Sequence, residues 1–155
     1  MKLKHWLIYF GVFGVGFACF LIMLFVAESP EQLILGEWVE QSWVYERLNN
    51  KGERKKYTSM RISNEKKRLI SEDLIIHEAE VWKFLPFGKL KLIGNNKEKN
   101  VSWKLKGRGN ILKLIYKNEK IERYIITELT QNTLIINVEF DIEAKGIAKL
   151  TFKRK

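Results

Sequence analysis

The sequence predicts a mainly β protein in which a single N-terminal transmembrane helix precedes an antiparallel sheet of short strands that curls or closes on itself. Three observations lead to this fold class. Residues 6–27 carry no charged side chain, apolar and polar residues alternate after residue 80, and turn-forming residues separate the alternating segments. A 22-residue uncharged stretch is long enough to cross a bilayer, and alternation with a period of two indicates strands.

The uncharged stretch 6–27 is the first predicted element. As a helix it would extend about 33 Å, close to the thickness of a hydrocarbon core. Lys2 and Lys4 precede it, so the positive-inside rule places residues 1–5 in the cytoplasm and the rest in the periplasm. We therefore expect a single-pass protein of the inner (cytoplasmic) membrane.

Three other interpretations of this stretch fit less well. A cleaved signal peptide has a shorter apolar core of about 7–15 residues. A lipoprotein signal at Cys19 would lack the aliphatic residue expected three positions earlier, where Gly16 stands. A buried core helix would show polar residues on one face.

Small residues recur on one face of this predicted helix. Gly11, Gly14 and Ala18 have the spacing that permits close approach of a second helix. They predict self-association or docking on another membrane subunit. The alternative is that glycine is simply common in membrane helices.

Composition limits the classes of function. Cys19 is the only cysteine, which excludes an internal disulfide and a thiolate metal site. The net charge of +10 attracts anionic partners, but the charges alternate along strands, and we expect no binding of nucleic acid. The basic run within 51–68 either lies against anionic lipid head groups or is a solvated loop.

The chain after the predicted anchor starts with a linker and short helix over 28–34. Ser29 can cap this helix and Pro30 suits its first turn. A strand is expected over 37–48 and another over 56–63, whereas 64–79 fits helix and strand patterns equally.

From Glu80 onward, short alternating segments are separated by Gly- and Asn-containing turns. Eight or nine antiparallel strands would leave costly open edges unless the sheet closes. We therefore expect one domain over 35–155, either a barrel or a tightly curled sheet.

Several motifs follow one another in an order that resembles the lipocalin-like domains of small bacterial envelope proteins, within the calycin superfamily. The motifs are Leu35-Gly36-Glu37-Trp38, Trp82-Lys83-Phe84 before Gly88, Trp103-Lys104-Leu105 before Gly107, Ile126 with Leu129-Thr130 and Leu134, and Thr151-Phe152-Lys153-Arg154. The resemblance covers about 35–155. It implies an eight-stranded up-and-down barrel, which in some members encloses a small apolar ligand.

Closure of such a barrel would bring the two ends of the domain together. Arg154 follows Leu150 and Phe152 at intervals of two residues, so it shares their inward face. The last strand then pairs with the first, which carries Gly36 and Trp38. We predict that Arg154 lies over the Trp38 indole and closes this end through a cation–π contact.

The predicted inner face is rich in aromatic side chains. An apolar ligand inside the barrel would contact six of them, namely Trp82, Phe84, Trp103, Tyr116, Tyr124 and Phe140. An eight-stranded barrel is only just wide enough for side chains to fill it. These large residues therefore favour a packed core or a small cavity.

The sequence contains little that predicts catalysis. Only His77 lies outside the N-terminal region, too few histidines for a zinc site of the usual kind. Glu78 with Glu80, and Glu139 with Asp141, are acidic pairs that either act in acid–base chemistry or are solvated. Gly107-Arg108-Gly109 either binds an anion through backbone amides or is a hairpin turn. We expect no enzyme activity, cofactor or metal.

Two functions of different class remain. The first is a non-enzymatic interaction module, an accessory part of a cell-envelope assembly that binds another protein or itself. The second is binding of a small apolar ligand or lipid in the barrel.

Overall fold

The computed structural model of the protein describes residues 13–17, 28–48, 54–77, 79–141 and 145–155, and over these residues the fold is mainly β. The strands are β1 (Gly36–Leu48), β2 (Arg54–Arg61), β3 (Val81–Leu85), β4 (Lys89–Gly94), β5 (Lys97–Lys106), β6 (Ile111–Ile115), β7 (Ile121–Leu129), β8 (Thr133–Asp141) and β9 (Lys145–Arg154). The described residues also include α1 (Pro30–Leu33), α2 (Asn64–Ser71), a 3-10 turn (Lys117–Glu119) and the helical residues 13–17.

Eight of the strands form a closed antiparallel barrel. Strand β1 pairs with β3, each strand from β3 to β9 pairs with the next, and β9 pairs back with β1. The barrel predicted from the alternating pattern is therefore present, with its strands in sequence order.

Strand β2 lies outside this ring, which the sequence did not predict. The first part of β1 pairs with β3 as far as Val39 and Val81. The last part of β1 pairs instead with β2, beginning at Val44 and Arg61. Because β1 exchanges one neighbour for another, a gap opens in the barrel wall between these two pairings.

A β-bulge in β1 lets both of its tryptophans point inward. The register with β9 shifts between Glu40 and Ser42. One extra residue reverses the alternation of faces. Trp38 before the bulge and Trp43 after it are consequently both buried, with 0% and 3% of their surface exposed.

The core fills the interior of the barrel and follows the period-two pattern. Along β3, β4 and β6, alternate residues are buried, and β8 and β9 continue the same layers. The strand residues of this core are Trp38, Trp43, Trp82, Phe84, Leu90, Leu92, Val101, Trp103, Leu112, Leu114, Tyr124, Ile126, Leu134, Ile136, Val138, Ala148, Leu150 and Phe152.

The predicted transmembrane helix over 6–27 is contradicted. No helix in the described ranges is long and apolar enough to cross a membrane. The single-pass inner-membrane localisation deduced from that helix is contradicted with it.

The predicted helix-association face is only partly covered by the structure. Gly11 and Ala18 lie outside the described residues. Gly14 lies in the helical residues 13–17, and a Cβ added there would have no heavy atom within 4 Å. The described residues therefore show no helix packed against Gly14.

Arg154 closes the end of the barrel where β1 begins and β9 ends. Its guanidinium carbon lies 4.4 Å from the centre of the Trp38 ring. The guanidinium also donates hydrogen bonds to the carbonyl oxygens of Leu33 and Leu35, both at 2.6 Å, and to that of Gln131. One side chain thus connects the end of α1, the start of β1 and the turn between β7 and β8.

The surroundings of Arg154 explain why a glycine stands at position 36. Gly36 has φ +123°, and a Cβ built on it would lie 2.6 Å from Nη1 of Arg154. The Trp38 indole is fixed in turn, since its Nε1 donates to the Ile34 carbonyl oxygen at 2.7 Å. Gly36, Trp38 and Arg154 form one packed closure.

A charged cluster lies beside this closure. The Glu37 carboxylate is 2.7 Å from the Lys155 ammonium and 3.6 Å from that of Lys83. The hydrogen bond from Lys155 lowers the pKa of Glu37, and Lys83 adds to this effect. The last residue of the chain is thereby held against the first strand.

We expect Trp38→Ala to lower the free energy of unfolding by about 3–5 kcal/mol, because it leaves a cavity and removes the surface under Arg154. Arg154→Lys keeps the charge but not the planar fork, and should cost about 1–3 kcal/mol. Thermal denaturation measures both, with Lys153→Ala on the exposed face of β9 as control. An unchanged melting temperature for Trp38→Ala would reject the closure role.

Candidate functional site

Four of the six aromatic residues predicted to line a ligand cavity pack against one another inside the barrel. Trp82, Phe84, Trp103 and Tyr124 are between 0% and 6% exposed. The Trp82 ring lies 6.3 Å from Tyr124 and the Phe84 ring lies 5.4 Å from Trp103, both edge-to-face. Phe152 adds a contact to Trp82 at 4.9 Å. These side chains occupy the space that a ligand would need.

The other two predicted lining residues are placed differently. Tyr116 follows the last residue of β6 and is half-buried in a cleft of about 440 Å³ at the far end of the barrel. The Lys99 ammonium lies 5.4 Å from the centre of its ring. Phe140 lies on β8 opposite Gly146, but its side chain is outside the described part of the structure.

The end of the barrel opposite Arg154 is covered by a cap segment, which we define as residues 62–77 with Ala79 and Glu80. It contains α2 and a series of turns that lead into β3. Ile75, Ile76 and Ala79 of this segment are at most 6% exposed and join the barrel core. The cap segment therefore fills this end of the barrel with apolar side chains.

Charged side chains from two strands hold Ile75 by its backbone. Both Glu122 oxygens accept a hydrogen bond from the Ile75 N–H at 2.9 Å. The Lys99 ammonium donates to the Ile75 carbonyl oxygen at 2.9 Å. Lys120 adds an ion pair to Glu122 at 3.4 Å and a hydrogen bond to the Asp73 carbonyl oxygen. Charge-assisted hydrogen bonds are stronger than neutral ones, so this arrangement fixes the cap segment in place.

Tyr124 completes the polar contacts of Glu122. Its hydroxyl donates a hydrogen bond to the Glu122 carboxylate. Burial raises the pKa of the Tyr124 phenol well above its usual value, and the neighbouring Glu122 charge raises it further. The phenol is therefore held in its neutral form.

A second carboxylate holds the other side of the cap segment. Glu40, at the bulge of β1, accepts a hydrogen bond from the Lys67 ammonium of α2 at 2.6 Å, and both side chains are mostly buried. Lys67 also lies 5.5 Å from the centre of the Trp43 ring. A cleft of about 450 Å³ opens here, at the gap in the barrel wall.

Ser71 and His77 form a contact that resembles a nucleophile with its base. The Ser71 Oγ lies 3.2 Å from the His77 Nδ1, and the direction of this bond depends on the imidazole tautomer. Only 1% of Ser71 is exposed, so a carbonyl substrate has no approach to its Oγ in this conformation. The pair thus links α2 to the turns that follow it.

The acidic pairs noted in the sequence are not brought together in a buried site. Glu80 and Glu139 are exposed, while Glu78 and the side chain of Asp141 lie outside the described structure. Among the described residues, no group of three or more His, Cys, Asp or Glu side chains could hold a metal ion. Gly107-Arg108-Gly109 is a hairpin turn, in which Gly109 packs closely on Pro30.

Sequence reasoning missed the two carboxylates that hold the cap. The spacing of Glu122 was visible in the sequence. Glu122 precedes Tyr124 and Ile126 at intervals of two residues, and so it shares their inward face. Glu40 likewise lies two residues after Trp38, ahead of the bulge, and so shares its face. An acidic residue in phase with a buried face is the pattern that would have revealed both.

Comparison with known proteins found no protein-family model, no curated protein and no solved structure that matches this chain.

We expect Glu122→Ala to release the cap locally, because the Ile75 N–H loses its charged acceptor. Removing such a partner from a buried donor costs about 1–3 kcal/mol. Amide hydrogen exchange over 72–77 should accelerate about tenfold or more, with little change in β8. Glu128→Ala, on the exposed face of the same strand, is the matched control. Unchanged exchange over 72–77 would contradict the proposed clamp.

The raised pKa of Tyr124 predicts a loss of stability in alkali. Above about pH 10 the unfolded state releases the phenol proton while the folded state retains it. Stability is therefore fully present below that pH, and falls by about 1.4 kcal/mol per pH unit above it. Denaturant unfolding at several pH values should show a shallower decline for Tyr124→Phe than for the wild type. Parallel declines would contradict this assignment.

Proposed function

We propose that this protein is a non-enzymatic interaction module, an accessory part of a larger assembly that binds a partner protein through its outer surface. The observation that carries the proposal is the filled barrel interior. Four of the aromatic rings expected to line a ligand site instead contact one another at centroid distances of 5.4–6.3 Å.

Both ends of the barrel support the same conclusion. Arg154 and Trp38 close one end, and the cap segment fills the other with Ile75 and Ile76. The clefts of about 440 and 450 Å³ at the cap end are lined mostly by polar and charged residues, and none of the four packed aromatic rings lines them. Binding inside the barrel would require the cap to leave and several aromatic side chains to move apart.

Membership of the lipocalin-like family is part of this proposal. The motifs that carry the resemblance include Gly36 and Trp38 at the start of β1 and Arg154 at the end of β9, the two strands whose pairing closes the barrel. In this interpretation the barrel is kept as a rigid scaffold, while the ligand cavity is filled by side chains.

A cavity-filling experiment tests the proposal. Benzene should leave the melting temperature of the wild type unchanged, because it has no space to enter. Phe152→Ala should create a dry apolar cavity, and benzene should then raise the melting temperature of that variant, as engineered cavities bind such molecules. Leu129→Ala, at a half-buried rim position, controls for loss of stability alone.

Native mass spectrometry of the gently purified protein provides the second measurement. We expect a protein partner at a defined stoichiometry and no small apolar molecule. A stoichiometric lipid or other apolar compound inside the wild-type barrel would contradict the proposal and favour a carrier.

A further inference from the structure

The outer face of β5, β6 and β7 carries a row of three cationic side chains, which we call the cationic row. Lys104 on β5 is directly opposite Lys113 on β6, and Lys113 is directly opposite Arg123 on β7. Neighbouring strands are about 4.8 Å apart, so the three charges lie close together across the sheet.

This arrangement opposes folding. Like charges at directly opposite positions destabilise an antiparallel pair, and Lys113 takes part in two such pairs. Among the described residues, no ion pair or hydrogen bond involves the side chain of any member of the row. The fold therefore retains a repulsion that a single carboxylate would relieve.

Other lysines on the barrel surface do have a carboxylate partner. Lys91 on β4 lies 2.8 Å from Glu98, and Lys83 on β3 lies 3.6 Å from Glu37. These two lysines are also directly opposite each other, but each has a carboxylate partner. The cationic row is distinguished from them by its unpaired charges, and not by the presence of lysine alone.

Isoleucines border the cationic row on both sides. Ile111 and Ile125 are opposite each other towards the Arg154 end, and Ile115 and Ile121 are opposite each other towards the cap. Ile125 and Ile121 are 45% and 43% exposed. The surface is thus a band of positive charge between two aliphatic strips.

This pattern favours a polypeptide over the other anionic partners. The outward residues of β5, β6 and β7 include no aromatic side chain, whereas single-stranded nucleic acid is bound by stacking on aromatic rings. A bilayer separates polar from apolar groups by depth, but here both lie side by side on one sheet face. An acidic segment with aliphatic side chains matches the charge and the flanking strips together.

We propose that the cationic row with its flanking isoleucines, centred on Lys113, is the docking surface for an acidic segment of a partner protein. The inference rests on the proposed function as an interaction module and names the surface and the chemistry of its partner. Binding would place carboxylates over the row, and it would replace repulsion within the free protein by attraction across the interface.

The test uses the full chain and a synthetic acidic peptide of about 15 residues that contains glutamate and leucine. Lys113→Thr removes the centre of the row, and Lys91→Thr is the matched control, since it makes the same substitution at a paired lysine. We expect Lys113→Thr to weaken binding by about fivefold or more, and Lys91→Thr by less than about twofold. Binding by the wild type should also weaken as salt is raised.

Stability provides an independent readout. Lys113→Thr relieves two repulsive pairs, so its melting temperature should exceed that of the wild type by about 2–4 °C. Lys91→Thr loses an attraction as well as a repulsion, and it should change little. A variant that becomes more stable while it binds less cannot be explained by unfolding.

Three results would overturn the inference. They are absence of peptide binding by the wild type, equal loss of binding in both variants, and Lys113-dependent binding of phosphatidylserine vesicles or of a single-stranded oligonucleotide in preference to the peptide. If the peptide fails to bind while a protein partner is still found by native mass spectrometry, this surface is wrong and the interaction module stands. A small apolar molecule inside the barrel would instead contradict the module itself.

Discussion

The pairing of the first strand with the last is the constraint on which the rest of this structure depends. Closure leaves each barrel strand with two neighbours and removes the open edges of the sheet. Arg154 secures it by joining carbonyl oxygens of Leu33, Leu35 and Gln131 while it stacks on Trp38. These carbonyls belong to two distant parts of the chain, residues 33–35 and residue 131. Closure is therefore a tertiary event that only the complete barrel can satisfy.

At the end of the barrel opposite this closure, charged side chains hold the cap segment in place. The cap segment lies over this end, near the place where β1 exchanges β3 for β2, and its Ile75 and Ile76 complete the core. Apolar burial alone would leave the cap backbone without partners at the barrel rim. Glu122 and Lys99 satisfy the N–H and the carbonyl of Ile75, respectively. A filled interior with a fixed cap leaves the outer surface as the place for recognition.

The sequence predicted those features that depend on local alternation. Period two identified the strands after residue 80, and the same phase placed Arg154 on the inner face above Trp38. Features that depend on distant contacts were not predictable, such as the departure of β2 from the ring. Residues 64–71 form a mostly exposed helix that Ser63 caps, and the sequence pattern leaves this segment open between helix and strand. The hydropathy of 6–27 measures only how strongly that stretch prefers apolar surroundings, and the membrane span inferred from it is contradicted. Within the barrel, Tyr116 illustrates the limit, since it follows the last residue of β6 and lies in a surface cleft.

The cationic row became visible only when the strand register was known, because its members are about ten residues apart in the sequence. A marginally stable domain has little free energy of unfolding to lose, so unrelieved repulsion on a central part of the sheet must be offset by stabilisation elsewhere. The closed barrel, the aromatic core and the clamped cap supply it. Lysines that face Glu37 or Glu98 show that this chain pairs its charges where pairing serves the fold. Where it leaves them unpaired between exposed isoleucines, the missing carboxylates are better sought on another molecule.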